Sequence, residues 1–183
     1  MKNTDIELKH IQEEDLELIR TWRNSEEVNK YMYTELNLTP EDQIRWFEKI
    51  KQDTTSEYWV IKYNNVSLGL ANITNINYNF NSCDWAFYLG DTSVRGMGIG
   101  SKVEYNIITY VFNKLKLNKL NCEVFTFNEN VIKMHETFGF RREAYYRQHC
   151  YKNGKYHDVV RLGLLNEEWN LIKNYHHGRI YSK

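Results

Sequence analysis

Three glycines within five residues place the tightest constraint on this chain, in the run Arg95-Gly96-Met97-Gly98-Ile99-Gly100. The run lies between a strand predicted at 84–89 and an amphipathic helix predicted at 101–115. Glycines let a backbone turn sharply and come close to a ligand. The first turn of the following helix offers unpaired N–H groups at the positive end of its dipole. Because Arg95 adds a charge-assisted donor, the loop is predicted to hold a pyrophosphate.

Two familiar phosphate-binding motifs do not match this loop. No Gly-Lys-Ser/Thr follows the glycines, so the loop is not a P-loop. The spacing differs from GxGxxG and the chain does not open with a βαβ unit, which argues against a dinucleotide-binding fingerprint. A purely structural turn is the remaining alternative, although such a turn would not need three glycines and an arginine.

The composition is that of an ordinary globular protein with no overall charge. Lys and Arg total 24, as do Asp and Glu, so no broad electrostatic attraction for nucleic acid or an anionic membrane is expected. No repeat, low-complexity stretch or linker-like segment divides the 183 residues. We therefore predict one domain over 1–183.

The cysteines and the chain ends predict a cytoplasmic protein with reduced thiols. Cys83, Cys122 and Cys150 are odd in number and form no CxxC pair. The first residues are polar, and no apolar run is long enough to span a bilayer. No metal site is predicted, since His176 and His177 lie in a polar stretch. The last residues, about eight in number, are expected to form a mobile tail.

Hydrophobic periodicity and turn residues predict the order β-α-α-β-β-β-α-β-α-β-β-α, a mixed α/β layered fold. The strands are predicted at 6–10, 58–63, 66–76, 84–89, 120–127 and on both sides of the Asn153-Gly154 turn. The helices are predicted from Leu16 to near Asn24, from Pro40, and at 101–115, 129–138 and 167–173. Thr39 and Asp42 form a capping-box pattern around Pro40. The buried stripe of that helix is predicted to be Ile44, Phe47 and Ile50.

Two motifs together resemble those of the GCN5-related N-acetyltransferase (GNAT) superfamily. Arg95, Gly98 and Gly100 match Arg-x-x-Gly-x-Gly, and the segment from Asn128 through His135 to 138–140 is similar to Asn-(x)6-Tyr-Glu-x-x-Gly-Phe. The resemblance spans nearly the whole chain, because the order of elements fits as well. It implies a GNAT fold, with a central mixed, mostly antiparallel sheet that is splayed at an acetyl-CoA site and has helices on both faces.

The resemblance also implies how acetyl-CoA would be held. Pantetheine would pair with main-chain groups on the strand 84–89, and the pyrophosphate would rest on the glycine loop, while Asn128 would hold the arm of the donor. The predicted donor-binding residues are Phe87, Tyr88, Leu89, Arg95, Gly96, Met97, Gly98, Ile99, Gly100 and Asn128.

Acetyl transfer to an amine needs a base for the amine and a proton for the leaving thiolate. Many GNAT enzymes place a tyrosine near the sulfur, and His135 occupies that position here. Histidine donates protons near neutral pH, so His135 is the predicted acid, with a merely packed or solvated histidine as the alternative. Relatives often place a glutamate where Asp84 begins the strand 84–89, so Asp84 is the predicted base and Glu123 the reserve.

The acceptor amine is predicted to lie against the N-terminal helices. The residues Trp22, Arg23, Asn24, Tyr31 and Met32 resemble those of enzymes that acetylate the 4-amino group of a UDP-linked 4-amino-4,6-dideoxy sugar in pseudaminic acid biosynthesis. Aromatic rings stack on uracil and on the apolar face of a sugar, and Arg23 suits a diphosphate. A ribosomal-protein N-terminus, a polyamine or a drug amine are alternative acceptors, and a non-catalytic acyl-CoA sensor is an alternative of another class. A homodimer is possible.

Overall fold

A computed structural model describes residues 6–34, 37–94 and 96–181. Its centre is one seven-stranded sheet with the strand order β1-β2-β3-β4-β5-β7-β6. The strands are β1 (Ile6–His10), β2 (Glu57–Tyr63), β3 (Val66–Asn77), β4 (Ser82–Leu89), β5 (Lys119–Phe125), β6 (Arg141–Lys152) and β7 (Lys155–Leu165). Neighbouring strands are antiparallel except β4 and β5, which are parallel. The predicted mixed, mostly antiparallel sheet is confirmed.

Helices cover both faces of the sheet, as predicted. They are α1 (Leu16–Asn24), α2 (Glu26–Asn29), α3 (Pro40–Gln52), α4 (Ile99–Thr109), α5 (Glu129–Thr137) and α6 (Asn166–Tyr181). The larger hydrophobic core lies under α4, α5 and α6, where Val103, Ile107 and Trp169 are fully buried. A smaller core joins α1 and α3 to the opposite face through Ile19 and Phe47. We call these two sides the α4 face and the α1 face.

The parallel pair β4 and β5 separates partway along its length. Pairing begins at Ser82 with Lys119 and ends at Asp84 with Asn121, five residues before β4 itself ends. Over the remainder of β4 the other edge stays paired with β3. We call the point beyond Asp84 and Asn121 the fork. The predicted splay of the sheet at 84–89 is therefore present.

The predicted start of α3 is confirmed, but its buried stripe is partly wrong. Thr39 is the N-cap, its hydroxyl accepts a bond from the amide of Asp42, and Pro40 is the first helical residue. Phe47 is buried as predicted, whereas Ile44 is 53% exposed and Gln43 is buried in its place. Gln43 and Phe47 lie one turn apart and so share one face of the helix. The helix is rotated so that this face points inward.

The end of the chain differs from the sequence prediction. A short helix at 167–173 and a mobile tail were expected, but α6 runs from Asn166 to Tyr181. His176 is buried and stacks on Phe138, with ring centroids 4.5 Å apart. Apolar contacts to α4 and α5 thus extend the helix beyond what its polar sequence predicts. Within the described residues, no helix is long and apolar enough to cross a membrane.

Candidate active site

The fork leaves one edge of β4 without a strand partner. Beyond Asp84, β5 no longer pairs with β4, so along 87–89 the main-chain groups on that edge, which belong to alternate residues of the strand, face the gap. An extended amide-containing chain fits there because it can form the hydrogen bonds that a strand would form. The three residues predicted to hold pantetheine therefore lie where such pairing is possible.

The glycine loop leads from this gap into α4. Gly96 and Gly98 have φ values of 82° and 76°, in the left-handed region that glycine adopts without strain. A Cβ atom on either residue would have no heavy atom within 4 Å, so the backbone conformation and not local crowding requires glycine. Gly98 is the N-cap of α4, and the amides of the first turn point beyond the helix end. Arg95 lies outside the described residues.

Two side chains narrow the space beside the start of α4. A Cβ atom on Gly100 would lie 3.3 Å from the sulfur of Met134 and 3.5 Å from the ring of Phe87. Met97 is 59% exposed, and its amide already donates to the carbonyl of Val94. Binding of a phosphate by the glycine loop would therefore depend on its other amides. Its geometry fits the predicted pyrophosphate site.

Asn128 stands at the N-terminus of α5, across the gap from this loop. Its carbonyl accepts from the amides of Val131 and Ile132, and its half-buried side chain forms no cap bond to the helix. The side-chain amide is therefore not used in capping the helix, and the role of Asn128 in holding the donor stays a prediction.

His135 lies under the fork on the α4 face. Its ring contacts Trp85 of β4, with centroids 5.3 Å apart, and its Nδ1 is 2.7 Å from Oε1 of Glu104. Both residues are almost fully buried. Burial raises the pKa of Glu104; burial alone would lower the pKa of His135, but the neighbouring Glu104 and Cys122 raise it above its usual value. Both shifts act to keep a proton within the pair.

On the α1 face, the fork carries a cluster of charged side chains. Asp84 shares this face with Tyr88, since both alternate with the buried Trp85 along β4. Arg161 of β7 donates from one nitrogen to Asp84 and from the other to Glu123 of β5, each at 2.8 Å. The predicted base and its reserve are therefore brought together by a residue that sequence analysis did not single out.

Two further donors complete this cluster, which we call the carboxylate cluster (Asp84, Glu123 and Arg161). Asn75 donates to the second oxygen of Asp84 at 2.8 Å. The hydroxyl of Tyr33 donates to the second oxygen of Glu123 at 2.9 Å. Burial and Glu123 raise the pKa of Tyr33, so its hydroxyl keeps its proton. Every carboxylate oxygen in the cluster thus has a donor.

The predicted acceptor-binding residues of α1 differ in their surroundings. Trp22 is 7% exposed and packs so closely on Gly90 that a Cβ there would lie 2.1 Å from its ring. Asn24 both donates to and accepts from the backbone of Leu38, at 2.9 and 2.8 Å. These two side chains hold the helix and the following loop in place. The half-buried Arg23 donates to the hydroxyl of Thr34.

Tyr31 belongs to an aromatic surface beyond the carboxylate cluster. Its ring stacks on Phe127 with centroids 6.1 Å apart, and Phe127 stacks on Phe125 at 5.0 Å. Tyr33 packs edge-on against Phe125 and so joins the surface to Glu123. We call Tyr31, Tyr33, Phe125 and Phe127 the aromatic surface. Met32 packs into the smaller core instead.

A buried lysine fixes the segment that carries Tyr31 and Tyr33. Lys152, at the end of β6, is 2% exposed and donates to the carbonyls of Asn29, Met32 and Thr34. Sequence analysis missed this residue, because nothing local distinguishes it from a solvated lysine at a hairpin. Arg161 and Glu104 were missed for the same reason: only the sheet and the helix packing bring them to their partners.

These features define a GNAT acetyltransferase: a splayed sheet, a glycine loop at a helix N-terminus, and charged groups at the fork. Residues 5–141 match the family described as acetyltransferase (GNAT) domain, and the chain belongs to this family. The protein is accordingly an N-acetyltransferase that uses acetyl-CoA as its donor. Among the described residues, no group of three or more His, Cys, Asp or Glu is placed to hold a metal ion.

The chain is similar to several named acetyltransferases. It is 29% identical to acetyltransferase PseH of Campylobacter jejuni over 134 residues, 72% of this chain and 82% of that protein. It is 23% identical to spermidine N(1)-acetyltransferase of Vibrio cholerae over 168 residues, 91% of this chain and 96% of the relative. The structure of a V. cholerae spermidine N-acetyltransferase in complex with CoA and spermine superposes with a TM-score of 0.86 at 22% identity, covering 92% and 99% of the two chains.

Proposed function

We propose that this enzyme acetylates the 4-amino group of a UDP-linked 4-amino-4,6-dideoxy sugar, as in pseudaminic acid biosynthesis. The observation that carries the proposal is the continuity of the aromatic surface with the carboxylate cluster through Tyr33. A nucleotide sugar needs both features in one site, because its base and sugar ring favour aromatic contacts while its amine must lose a proton. Similarity to acetyltransferase PseH of Campylobacter jejuni over 72% of the chain supports the proposal.

Three of the four rings of the aromatic surface are open to solvent, while Phe125 is buried beneath them. Tyr31, Tyr33 and Phe127 are 36%, 41% and 48% exposed, which is unusual for rings that already contact one another. Offset stacking on such rings contributes about 0.5–1.5 kcal/mol per aromatic pair beyond area burial. A uracil ring or the apolar face of a deoxysugar would cover this surface and gain that contribution.

Arg23 is the residue proposed to meet the diphosphate. Its side chain is half-buried, and within 6–34, 37–94 and 96–181 no carboxylate lies within ion-pair distance of it. Burial lowers the pKa of this guanidinium, although the guanidinium remains charged at neutral pH. A cation that is withdrawn from water without a counter-charge is unfavourable, so an anionic ligand at this point stabilises it. Lys30, 4.9 Å from the ring of Tyr31, adds a second positive charge.

The proposed chemistry uses one group on each face of the fork. The thioester of acetyl-CoA supplies the acetyl group when bound between β4 and β5. Asp84 accepts the proton that the acceptor ammonium loses, directly or through water, and the free amine attacks the thioester carbonyl to form the new C–N bond. The C–S bond then breaks, and His135 donates a proton to the departing sulfur from the opposite face. The second proton, which the nitrogen loses as the amide forms, passes through water and restores the proton that His135 gave up. Glu104 fixes the ring of His135 and favours its protonated form.

A polyamine is the second candidate acceptor, since the likeness to spermidine acetyltransferases extends over 91% of the chain. A polycation would favour several carboxylates without neighbouring cations. In this chain one guanidinium lies between Asp84 and Glu123. The acidic residues before α1, Glu13 and Glu14, and those of α2, Glu26 and Glu27, are exposed. Glu35 lies outside the described residues. These charges favour the nucleotide sugar.

Thiol release from acetyl-CoA with a panel of amines tests the proposal. The panel contains the UDP-4-amino-4,6-dideoxy sugar, spermidine, a ribosomal-protein N-terminal peptide and an aminoglycoside. We expect release with the nucleotide sugar at a kcat/KM at least tenfold above that of the other amines. Faster release with spermidine would contradict the sugar as acceptor and identify a polyamine instead. Tight acetyl-CoA binding without release for any amine would contradict the proposed acceptor and favour a sensor.

A further inference from the structure

Arg161 bridges the fork from a strand that is not part of it. It projects from β7, contacts Glu123 on the adjacent β5, and reaches across to Asp84 on β4. The bridge lies where the pairing of β4 and β5 ends, since Asp84 is the last residue of β4 that pairs with β5. Three strands are thus joined at the point where the acceptor must meet the thioester.

The bridge also sets the charge of the site. The two carboxylates carry two negative charges and the guanidinium one positive charge, which leaves one net negative charge in the carboxylate cluster. All three side chains are only about one quarter exposed, at 26–27%. Burial lowers the pKa of Arg161, but Asp84 and Glu123 outweigh that effect and raise it. The guanidinium therefore stays charged throughout the pH range in which an acetyltransferase is assayed.

We infer that Arg161 is a positioning residue for acetyl transfer, which holds Asp84 at the fork and neutralises one of two adjacent carboxylates. The inference rests on the proposed role of Asp84 as base. One uncompensated carboxylate attracts one acceptor ammonium and accepts its proton. Two uncompensated carboxylates would repel each other, and one would bind a proton from solvent at neutral pH. The cluster would then hold a proton before the acceptor arrives.

Other titratable groups face this cluster from each neighbouring element. Tyr33 contributes a hydroxyl from the segment after α2, and Tyr146 of β6 lies near Arg161. From the opposite face of the sheet, Cys83 lies near Asp84, and burial raises the pKa of its thiol to about 12. Cys122 is likewise buried, with a raised pKa. The raised pKa values of Tyr33, Cys83 and Cys122 keep these three groups protonated below pH 8. The ring of His149 contacts those of Tyr33 and Tyr146, but this histidine is common to all the proteins compared. A difference in pH dependence between the wild type and the Arg161 variants from pH 5 to 8 therefore comes from the carboxylates.

A stability measurement tests the inference without an acceptor. Urea unfolding would be compared at pH 7 and pH 5 for the wild type, Arg161→Met and the double variant Arg161→Met/Glu123→Gln. Arg45→Met is the control, because it removes an arginine from an exposed ion pair with Asp42. We expect the unfolding midpoint of Arg161→Met to fall at pH 7 and to approach that of the wild type at pH 5. Glu123→Gln in the same chain should restore part of the loss at pH 7.

Activity measurements distinguish two roles in the cluster: the charge balance set by Arg161 and the base proposed at Asp84. Arg161→Met should lower kcat/KM for the acceptor about tenfold or more and move the acid limb of its pH profile upward, while Kd for acetyl-CoA stays unchanged. Arg161→Met/Glu123→Gln should recover rate, whereas Arg161→Met/Asp84→Asn should recover stability only. Equal losses in both double variants at both pH values would overturn the inference. If no amine is acetylated, the proposed function fails while the unfolding data still decide the charge balance.

Discussion

Glu104 Oε1 lies 2.7 Å from Nδ1 of His135, and this buried contact joins α4 to α5 beneath the fork. The first helix begins at the glycine loop and the second begins at Asn128, so the contact links the two segments predicted to hold acetyl-CoA. The same contact orients the ring that is proposed to protonate the leaving sulfur. One buried contact therefore joins the two helices of the predicted donor site to the proposed acid.

Glu104→Gln should change how the stability of the protein depends on pH. His135 has its pKa raised from 6.5 to about 10 in the folded protein, so above pH 6.5 the folded chain keeps a proton that the unfolded chain releases. Stability contributed by this group is fully present below pH 6.5 and is lost as pH rises toward about 10. The raised pKa of Glu104 acts in the same direction. Without Glu104 this loss should disappear.

The measurement is the free energy of unfolding for the wild type and Glu104→Gln between pH 6.5 and 9.0. The upper limit is the ordinary pKa of a thiol, because the cysteines of the unfolded chain begin to ionise there. The wild type should lose stability with rising pH more steeply than the variant. Parallel curves for the two proteins would show that the pair does not retain a proton on folding.

His135→Phe should lower kcat about a hundredfold, because a positioned general acid typically contributes 10²–10⁴-fold. Acetyl-CoA binding, measured by calorimetry, should change little, since the ring lies below the strands and not on their edge. Glu104 would lose its partner in this variant, so His135→Phe/Glu104→Gln is measured beside it to separate misfolding from lost chemistry. A kcat within twofold of wild type in the double variant would remove His135 from the mechanism.

Asp84→Asn should reduce kcat/KM for the acceptor about a hundredfold at pH 7. The amide keeps the size of the side chain and can still bond to its neighbours, so the fold should persist. Raising the pH should recover part of the rate, because the acceptor then arrives as the free amine. Glu123→Gln is the matched control and should have a smaller effect. The reverse order of the two effects would make Glu123 the base.

Gly98→Ala should weaken acetyl-CoA binding through the backbone. The φ of 76° at Gly98 costs an L-residue about 1–2 kcal/mol, although there is room for the methyl group. Gly154, with a φ of 75° in the β6–β7 turn and equally open surroundings, is a closely matched control. Both variants should lose similar stability, but only Gly98→Ala should raise the Kd for acetyl-CoA. If Gly98→Ala and Gly154→Ala bind acetyl-CoA with the same Kd, the glycine loop does not contribute to binding the donor.

Arg23→Met should raise KM for the UDP sugar about tenfold or more, since a charge-assisted hydrogen bond contributes about 1.5–3 kcal/mol. Steady-state kinetics with a simple amine lacking the diphosphate should be nearly unchanged in the same variant. Arg45→Met, which alters an exposed arginine of α3, provides the control. An equal rise in KM for both acceptors would show that Arg23 maintains the structure of the site and does not bind the diphosphate.

Local sequence was sufficient for the parts of the fold that depend on neighbours along the chain. The α3 start follows from the capping box of Thr39 and Asp42, and the β2–β3 turn follows from Asn64 and Asn65, which have φ values of 49° and 64°. The glycine loop was predicted from three glycines in five residues, and Gly96 and Gly98 adopt left-handed conformations in it. Its family motif then identified the donor and the class of reaction.

Where a chain segment packs against distant partners, the same reasoning failed. Ile44 was expected inside and is exposed, since the periodicity of a helix does not fix its rotation against a sheet. The last helix extends to Tyr181 because His176 stacks on Phe138, a contact between segments 38 residues apart.

The sequence by itself determined the class of enzyme and the place of the glycine loop, because these follow from residue type and spacing, and through the family resemblance it predicted Asp84 and His135 as the residues that carry the chemistry. Only the tertiary structure decided what surrounds them. Arg161 meets Asp84 across 77 residues, and Glu104 meets His135 across 31. Hydrogen bonds and charge pairing act over a few ångströms in space, and no spacing along the chain encodes such distances before the strands are ordered into a sheet.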